Sequence, residues 1–546
     1  MARALALATA LAVSLLATSG AGGADAQTPK RGGTVVIATP APAEPPCLNP
    51  FVDTCGVPSP LDLGLLEVLA GAFELSPDGT HQPNLISRAR FVSRRPVTLE
   101  YHIRPEARWS DGVPVTASDF VFTHQTILKQ RPGVEGGYPA TVRSVHELDT
   151  KSFRVVLRFP FADWRVLFGL VLPRHALAGE DLASVWEGAI DNPKTGQLIG
   201  SGPFLARLER GRQLTLVRNP RYWGAHTARL DRLVFRFVPL GDAGAMRRGD
   251  VDMINPTSST LQAHALELLR RPEPGIRVLP VLRSAWDHVA IRTIGGHPAL
   301  SDPLVRRALA YGVDRVAIAR TIGRQFLEGD TALQPLDSVV FLANSSYYEP
   351  NWRSYRYRPD QSRRLLEQAG CRRGSDGIYS CHGDRLSLRF VTPTGTERRA
   401  RTLELAQEQL LQVGVEVRLV FVLPTVFNES VLERGDYDLA LFNFVTFAST
   451  AGPTDIFGCQ RPLNYMGYCD RLVTRDLDQA TRILDDSRRV GLLNRVDVRL
   501  AKAVPAIPLF QDKRLFALKA NIRGVVPNGS GFFTWNAENW WLADRP

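Results

Sequence analysis

Strand-like and helix-like segments alternate through the second half of this chain, which predicts an α/β fold, and a length of 546 residues predicts division into two or three lobes. Separate cores need ample apolar material, and 44% hydrophobic residues supply it. The net charge of +11 raises the question of an anionic partner. The arginines are nevertheless scattered, the densest clusters (Arg247-Arg248 and Arg398-Arg399-Ala400-Arg401) are short, and no aromatic-plus-basic module accompanies them, so no nucleic-acid partner is expected.

Residues 1–26 read as a cleaved export signal: Arg3 gives the positive start, Ala4 to Ala17 is an apolar stretch too short to span a bilayer, and Ala24-Asp25-Ala26 is a small-x-small cleavage site before Gln27. No cysteine stands near that point to take a lipid anchor, so a soluble periplasmic or secreted protein is expected. Gly33 to Ala38 then reads as a first core strand. Ser110-Asp111-Gly112 is turn chemistry, and Thr116 with Asp119 three residues on opens a helix through Phe120 and Phe122. Leu214 to Val217 is a strand that Asn219-Pro220 terminates.

In the second half, Asp302 before Pro303 caps a helix carrying Val305, Ala308, Leu309 and Val313. Arg363 to Gln368 is helical and stops at Gly370, and Leu403, Ala406, Leu410 and Val413 mark a helix closed by Gly414. Val415, Val417, Leu419 and Phe421 alternate as a strand, and Asp436 to Phe442 reads as a buried one. Strands so interleaved with helices predict a largely parallel sheet.

The six cysteines fall into three close pairs, Cys47 with Cys55, Cys371 with Cys381, and Cys459 with Cys469. Six allow 15 connectivities, of which neighbour pairing is the simplest. Each short loop so closed is worth roughly 2.5 kcal/mol, enough to staple loops but not to create a fold. With no Cys-x-x-Cys and no adjacent His pair, no metal site is expected. There is no Gly-x-Ser-x-Gly elbow, His-Glu-x-x-His, Walker loop or Gly-x-Gly-x-x-Gly, so neither catalytic residues nor a cofactor are expected.

Several phrases occur in an order shared with one family: Trp109-Ser110-Asp111-Gly112 with Thr116-Ala117-Ser118-Asp119-Phe120, Gly200-Ser201-Gly202-Pro203-Phe204, Arg218-Asn219-Pro220-Arg221-Tyr222-Trp223-Gly224, Ser301 to Leu309, Gly435-Asp436-Tyr437-Asp438 and Pro505-Ala506-Ile507-Pro508-Leu509. In these the chain resembles the extracytoplasmic solute-binding proteins of ABC importers, in the oligopeptide- and dipeptide-binding class (family 5). The resemblance implies a periplasmic-binding-protein-like fold of two hinged lobes with an extra inserted domain. Lobe I would comprise residues 27–62, 200–284 and 505–546, the inserted domain 63–199, and lobe II 285–504. It also implies a monomer that takes a peptide or other small solute and meets ABC permease and ATPase subunits at the membrane.

The same resemblance directs attention to the stretch after the Tyr437-Asp438 pair. Peptide-binding members carry a Trp and then an Asp that pairs with the peptide α-amino group, whereas here the stretch reads Asn443-Phe444-Val445-Thr446-Phe447. Phe444 stands at the Trp position and Phe447 at that of the acid, so a free amino terminus needs another carboxylate, such as Asp455. Asn443, Phe444, Thr446 and Phe447, with Trp286, Tyr465, Phe533 and Trp535, are the expected ligand-binding residues, and exposed backbone along 443–446 could accept a peptide as an added strand.

Overall fold

The computed structural model describes residues 28–40, 47–50, 64–130, 138–238, 244–255, 259–327, 333–446, 450–529 and 532–544. The expected export signal at 1–26 lies outside them. Among the described residues no helix is long and apolar enough to cross a membrane.

Strand β1 (Thr34–Pro40) opens the described core, with Val35 and Ile37 fully buried. A hairpin of β2 (Phe73–Leu75) and β3 (His81–Pro83) follows, then β4 (Ile86–Arg94), β5 (Val97–Ile103), β6 (Val142–Asp149) and β7 (Ser152–Leu157). The last four make a separate antiparallel sheet in the order β4-β5-β7-β6. Its aromatic core stacks Tyr101 on Phe153 at 4.8 Å and Phe153 on Phe120 at 4.4 Å, with Phe120 supplied by the Ala117–Gln130 helix. The helix starts as the sequence indicates, because the Thr116 N–H donates to Asp119 Oδ2 at 2.9 Å.

The motifs of the first half are structural joints. Asp119 also accepts from Trp109 Nε1 (3.3 Å) and, through Oδ1, from the Arg174 N–H (2.8 Å), tying three segments of the inserted domain together. Ser201 accepts at Oγ from the Ala70 N–H (3.0 Å), and Trp223 Nε1 donates to the Ser201 carbonyl (2.8 Å). A side chain at Gly202 would set a Cβ 2.2 Å from the Glu67 carbonyl oxygen, so the close approach of the loop before Phe204 to the helical turn Leu65–Glu67 requires glycine.

Returning to the main body, β8 (Phe204–Glu209), β9 (Gln213–Arg218), β10 (Arg232–Val238) and β11 (Met253–Ile254) precede the long β12 (Ile276–Ile291). A three-stranded ribbon, β13 (Arg372–Arg373), β14 (Tyr379–Cys381) and β15 (Asp384–Arg385), is stapled by the Cys371–Cys381 disulfide. Then come β16 (Ser387–Pro393), β17 (Glu416–Val422), β18 (Leu439–Val445) and the long β19 (Ala506–Lys519). The Cys459–Cys469 disulfide also forms as expected. The pair Cys47 with Cys55 includes a residue outside the described ones.

One ten-stranded sheet, ordered β17-β16-β18-β12-β19-β11-β1-β10-β9-β8, runs through the whole body. It is mixed, which corrects the expectation of a largely parallel sheet. β1 is parallel to β10 and β11, and β16 to β17 and β18, but β8, β9 and β10 are antiparallel neighbours, as are β11, β19, β12 and β18. The tight turn between β8 and β9 can join only antiparallel strands, and β12 and β19 bind as one long antiparallel pair.

That pair carries the chain between the two lobes. Its register shifts between Leu282 and Trp286, and again between Asp287 and His288, so the two strands are bulged together in one place. The expected boundary at 284/285 falls in this stretch, while β19 serves both sides of it. In the second lobe the helices begin and end as the sequence indicates: the Asp302 carboxylate takes the Leu304 N–H at 2.8 Å, and Gly414 turns at φ 83° after the Glu397–Gln412 helix. Alternation in β17 fails at its end, where Phe421 stays 45% exposed, because this strand forms the edge of the sheet.

Candidate functional site

A chamber of about 230 Å3 lies between the inserted domain and the second lobe, beside the bulge of β12. The inserted domain gives it the tip of the β2–β3 hairpin (Asp78 to His81) and the segment 162–165; the bulge gives Ser284. The second lobe gives the loop 340–347, then Thr446, Thr450 and Pro453, and one face of the Asp486–Ala503 helix.

Each wall has a local cause. Asp78 accepts from both the N–H and the hydroxyl of Thr80 (3.0 and 2.8 Å), which folds the hairpin tip. Segment 162–165 is anchored by Trp164, whose ring meets Phe73, Phe91 and Tyr101 edge-on at 5.4, 5.6 and 6.2 Å. Loop 340–347 is held from behind by the buried Asp497, which accepts from the Val339 N–H (3.0 Å), Asn351 Nδ2 (2.9 Å) and Trp352 Nε1 (3.1 Å). Gln511 of β19 fixes the front of that loop, accepting from the Ala343 N–H (3.0 Å) and donating to Asn344 Oδ1 (2.8 Å) and the Arg283 carbonyl (2.7 Å).

The walls are apolar in the middle, with Phe341 and Tyr347 edge to face at 5.8 Å beside Leu342, Val490 and Leu493, and charged at the rim. There Asp486 lies 2.9 Å from Arg489 and 3.5 Å from Arg165, so one acid is shared by two guanidinium groups from opposite sides of the chamber. His81 faces this group. Burial, then the charges of Arg165 and Arg489, lower its imidazole to about 4, and it is neutral at pH 7.

A sequence model described as bacterial extracellular solute-binding proteins, family 5 Middle, matches residues 80–456. The chain belongs to this family. It is 28% identical over 478 residues to the oligopeptide-binding protein OppA of Mycobacterium tuberculosis, the match covering 84% of this chain and 77% of that one. Among solved structures, the periplasmic EDTA-binding protein EppA shares the fold at a TM-score of 0.76 and 22% identity, over 96% of this chain and 98% of the other. AppA from Bacillus subtilis, in complex with a nonapeptide, does so at 0.66 and 20% identity, over 95% and 100%.

For this family 5 protein, the residues expected at the site divide into groups. Thr446 lines the chamber, and its N–H donates to the Ser284 carbonyl at 2.7 Å. Phe447 lies outside the described residues. Trp286, Phe444 and Tyr465 come together, but with Trp286 and Phe444 buried and Tyr465 half-buried in a ring ladder that does not line the chamber. Cross-strand register sets Trp286 opposite Phe444 and His288 opposite Phe442. His288 stacks on Phe444 at 4.6 Å, and Tyr465 stacks on the same ring at 6.4 Å.

Asn443 points to the other face of β18, where its Oδ1 accepts from Arg399 at 3.0 Å. The edge of 443–446 facing β12 is already paired, with Asn443 to Val445 opposite Asp287 to Ala285. Phe533 packs in the first lobe against Phe516 (5.8 Å), Phe235 and Trp540 (both 6.2 Å), and Trp535 donates Nε1 to the Val526 carbonyl; neither lines the chamber. Asp455, the alternative carboxylate, does not line it either.

His81, Asp163, Arg165, Phe341, Tyr347 and Arg489 are the chamber residues that sequence reasoning missed. They sit on ordinary loops, a hairpin tip and a helix face, and no spacing rule singles them out.

Proposed function

We propose that this protein is the extracytoplasmic binding component of an ABC importer, taking a peptide or peptide-like solute into the chamber and presenting it to a membrane permease whose ATPase subunits power transport. The observation that carries this reading is the chamber between the inserted domain and the second lobe, beside the pair of bulged strands that joins that lobe to the first. Such a joint lets the bodies part to admit a solute and meet again around it, and the solute shifts the population toward closure by its extra affinity for the closed form.

A peptide suits the walls better than a single charged solute does. The rim charges are spent on one another, and the interior offers ring and aliphatic surface with the Ser345 and Thr446 side chains, a lining that accepts varied side chains. The chamber volume of about 230 Å3 is smaller than that of pockets for drug-sized ligands, roughly 300–1,000 Å3, so the enclosed part of the solute is short. The export signal read in residues 1–26 and the two disulfides support a location outside the cytoplasm, in the periplasm or beyond.

Native mass spectrometry of the mature protein purified without denaturation, followed by calorimetry with a defined peptide library, tests this reading. A peptide adduct, and loss of peptide uptake on deleting the gene, are the expected results. An adduct of a sugar or metal chelate, with no peptide bound by the emptied protein, would replace the peptide assignment.

A further inference from the structure

We infer that the inserted domain is the closing jaw of this protein, and that Asp163 is a positioning residue that clasps the second lobe and holds the chamber shut through contacts made without any solute. The inference rests on the binding-protein reading above.

The argument is a set of contacts that cross the chamber at its rim. The Asp163 carboxylate accepts twice from one residue of the second lobe, from the Thr450 N–H at 2.9 Å and the Thr450 hydroxyl at 2.7 Å. Its neighbour Ala162 is held on both backbone groups: its N–H donates to the Thr481 carbonyl at 2.7 Å, and its carbonyl accepts from Arg489 Nη1 at 3.1 Å. Arg165 reaches Asp486 at 3.5 Å, and Arg482 lies over the Phe159 ring at 5.7 Å. At the far end of the opening, Asn344 Nδ2 donates to the Pro77 carbonyl in the β2–β3 turn at 3.1 Å.

Every one of these partners is protein on both sides. The inserted-domain residues belong to two loops, and neither is free to drift: Trp164 anchors 162–165 in the aromatic core, and the Asp78–Thr80 turn shapes the hairpin. The two loops therefore act as rigid fingers on a lobe that moves as a body about the bulge. Hydrogen bonds to a carboxylate are the strong members of such a set, and Thr450 is buried in the closed form, so Asp163 has the largest share. A clasp that needs no solute lowers the cost of closing for every solute alike, which gives affinity without demanding particular side chains.

The test is pulsed electron–electron distance measurement on the full mature chain, native disulfides intact, with nitroxides at Glu147→Cys in β6 and Arg418→Cys in β17, both exposed positions. Without solute, the unsubstituted protein is expected to show a populated short-distance component. Asp163→Ala should deplete it about tenfold, while Asp163→Asn, which keeps an acceptor oxygen, and Thr450→Val, which keeps the N–H, should deplete it less. Thermal melting of all variants should stay within a few degrees of the parent, since these contacts lie between bodies and not within a core.

A ligand-free protein found only in the open distance, or an Asp163→Ala variant with the parental distance distribution, overturns the inference. Calorimetry with trialanine is run beside it. Failure of the parent to bind trialanine or a peptide library strikes the peptide reading and leaves the distance result standing on its own.

Discussion

Acid should open this protein, and His81 should be the reason. In the closed form burial and the guanidinium groups of Arg165 and Arg489 hold its imidazole at about 4, against 6.5 for the free group. Opening carries Arg489 away with the second lobe and returns solvent to the hairpin tip, so the open-state value reverts toward 6.5. A closed-state pKa below the free value means that closure is fully favoured above pH 6.5 and is lost as pH falls from there toward 4. Weighing the two protonation equilibria, closure and solute affinity should fall about tenfold between pH 7.5 and pH 5.5, with a limit near 300-fold below pH 4. Near pH 5.5 closing on a bound peptide should release about 0.9 proton, because the open-state ring is mostly charged and the closed-state ring is not. The Asp486 carboxylate opposes part of this lowering. Calorimetry of one peptide in buffers of different ionisation enthalpy reads the proton count directly. Binding at pH 5.5 without proton release, or a His81→Gln variant that keeps the parental slope, would refute the reasoning.

Three further outcomes follow from the buried charges and rings. Burial, then the charge of Glu538, raises Glu74 to about 7 from an ordinary 4.5; its charged form is a penalty above pH 7 that fades as pH falls toward 4.5, so Glu74→Gln should raise the melting temperature at pH 8 and do little at pH 5. Arg398 bridges Asp287 and Asp512 at 2.9 Å each, and Arg398→Met should cost about 3–5 kcal/mol in denaturant titration, with Asp287→Asn added in the same chain restoring part of it. Phe444→Ala should cost about 3–5 kcal/mol of stability, which distinguishes a ring of the buried ladder from one that only touches solute.

Local chemistry was legible and long-range assembly was not. The Thr116–Asp119 start, the Asp302–Pro303 cap, the Gly414 stop and two cysteine pairs are each decided within a dozen residues, and each stands as read. The sheet is decided by partners far apart: β1 is zipped to β10 some two hundred residues on, and β12 to β19 farther still, so strand direction could not be read from the alternation of helices and strands. The site suffered for the same reason. Aromatic character pointed to Trp286, Phe444 and Phe533, but rings that large are more often drawn into a core, and these were. The chamber walls come from loops whose polar and small residues resemble those of any surface loop until the two bodies meet.

The two faces of β12 and β18 explain why so many expected residues sit just behind the site. A period of two places Trp286, His288, Phe442 and Phe444 on one face, where their rings pack together, and Asp287 and Asn443 on the other, where Arg398 and Arg399 from the Glu397–Gln412 helix pair with the Asp287 carboxylate and Arg399 also donates to Asn443 Oδ1. Both sets end at the bulge, and the Arg283–Asp512 pair at 3.1 Å extends the charged one into it. Rings and ion pairs thus pack the lobe on one side of the bulge up to the residues of the bulge itself. Ser284 lies within the bulged stretch and also walls the chamber, with its N–H and hydroxyl both donating to the Gly529 carbonyl at 2.9 and 3.1 Å.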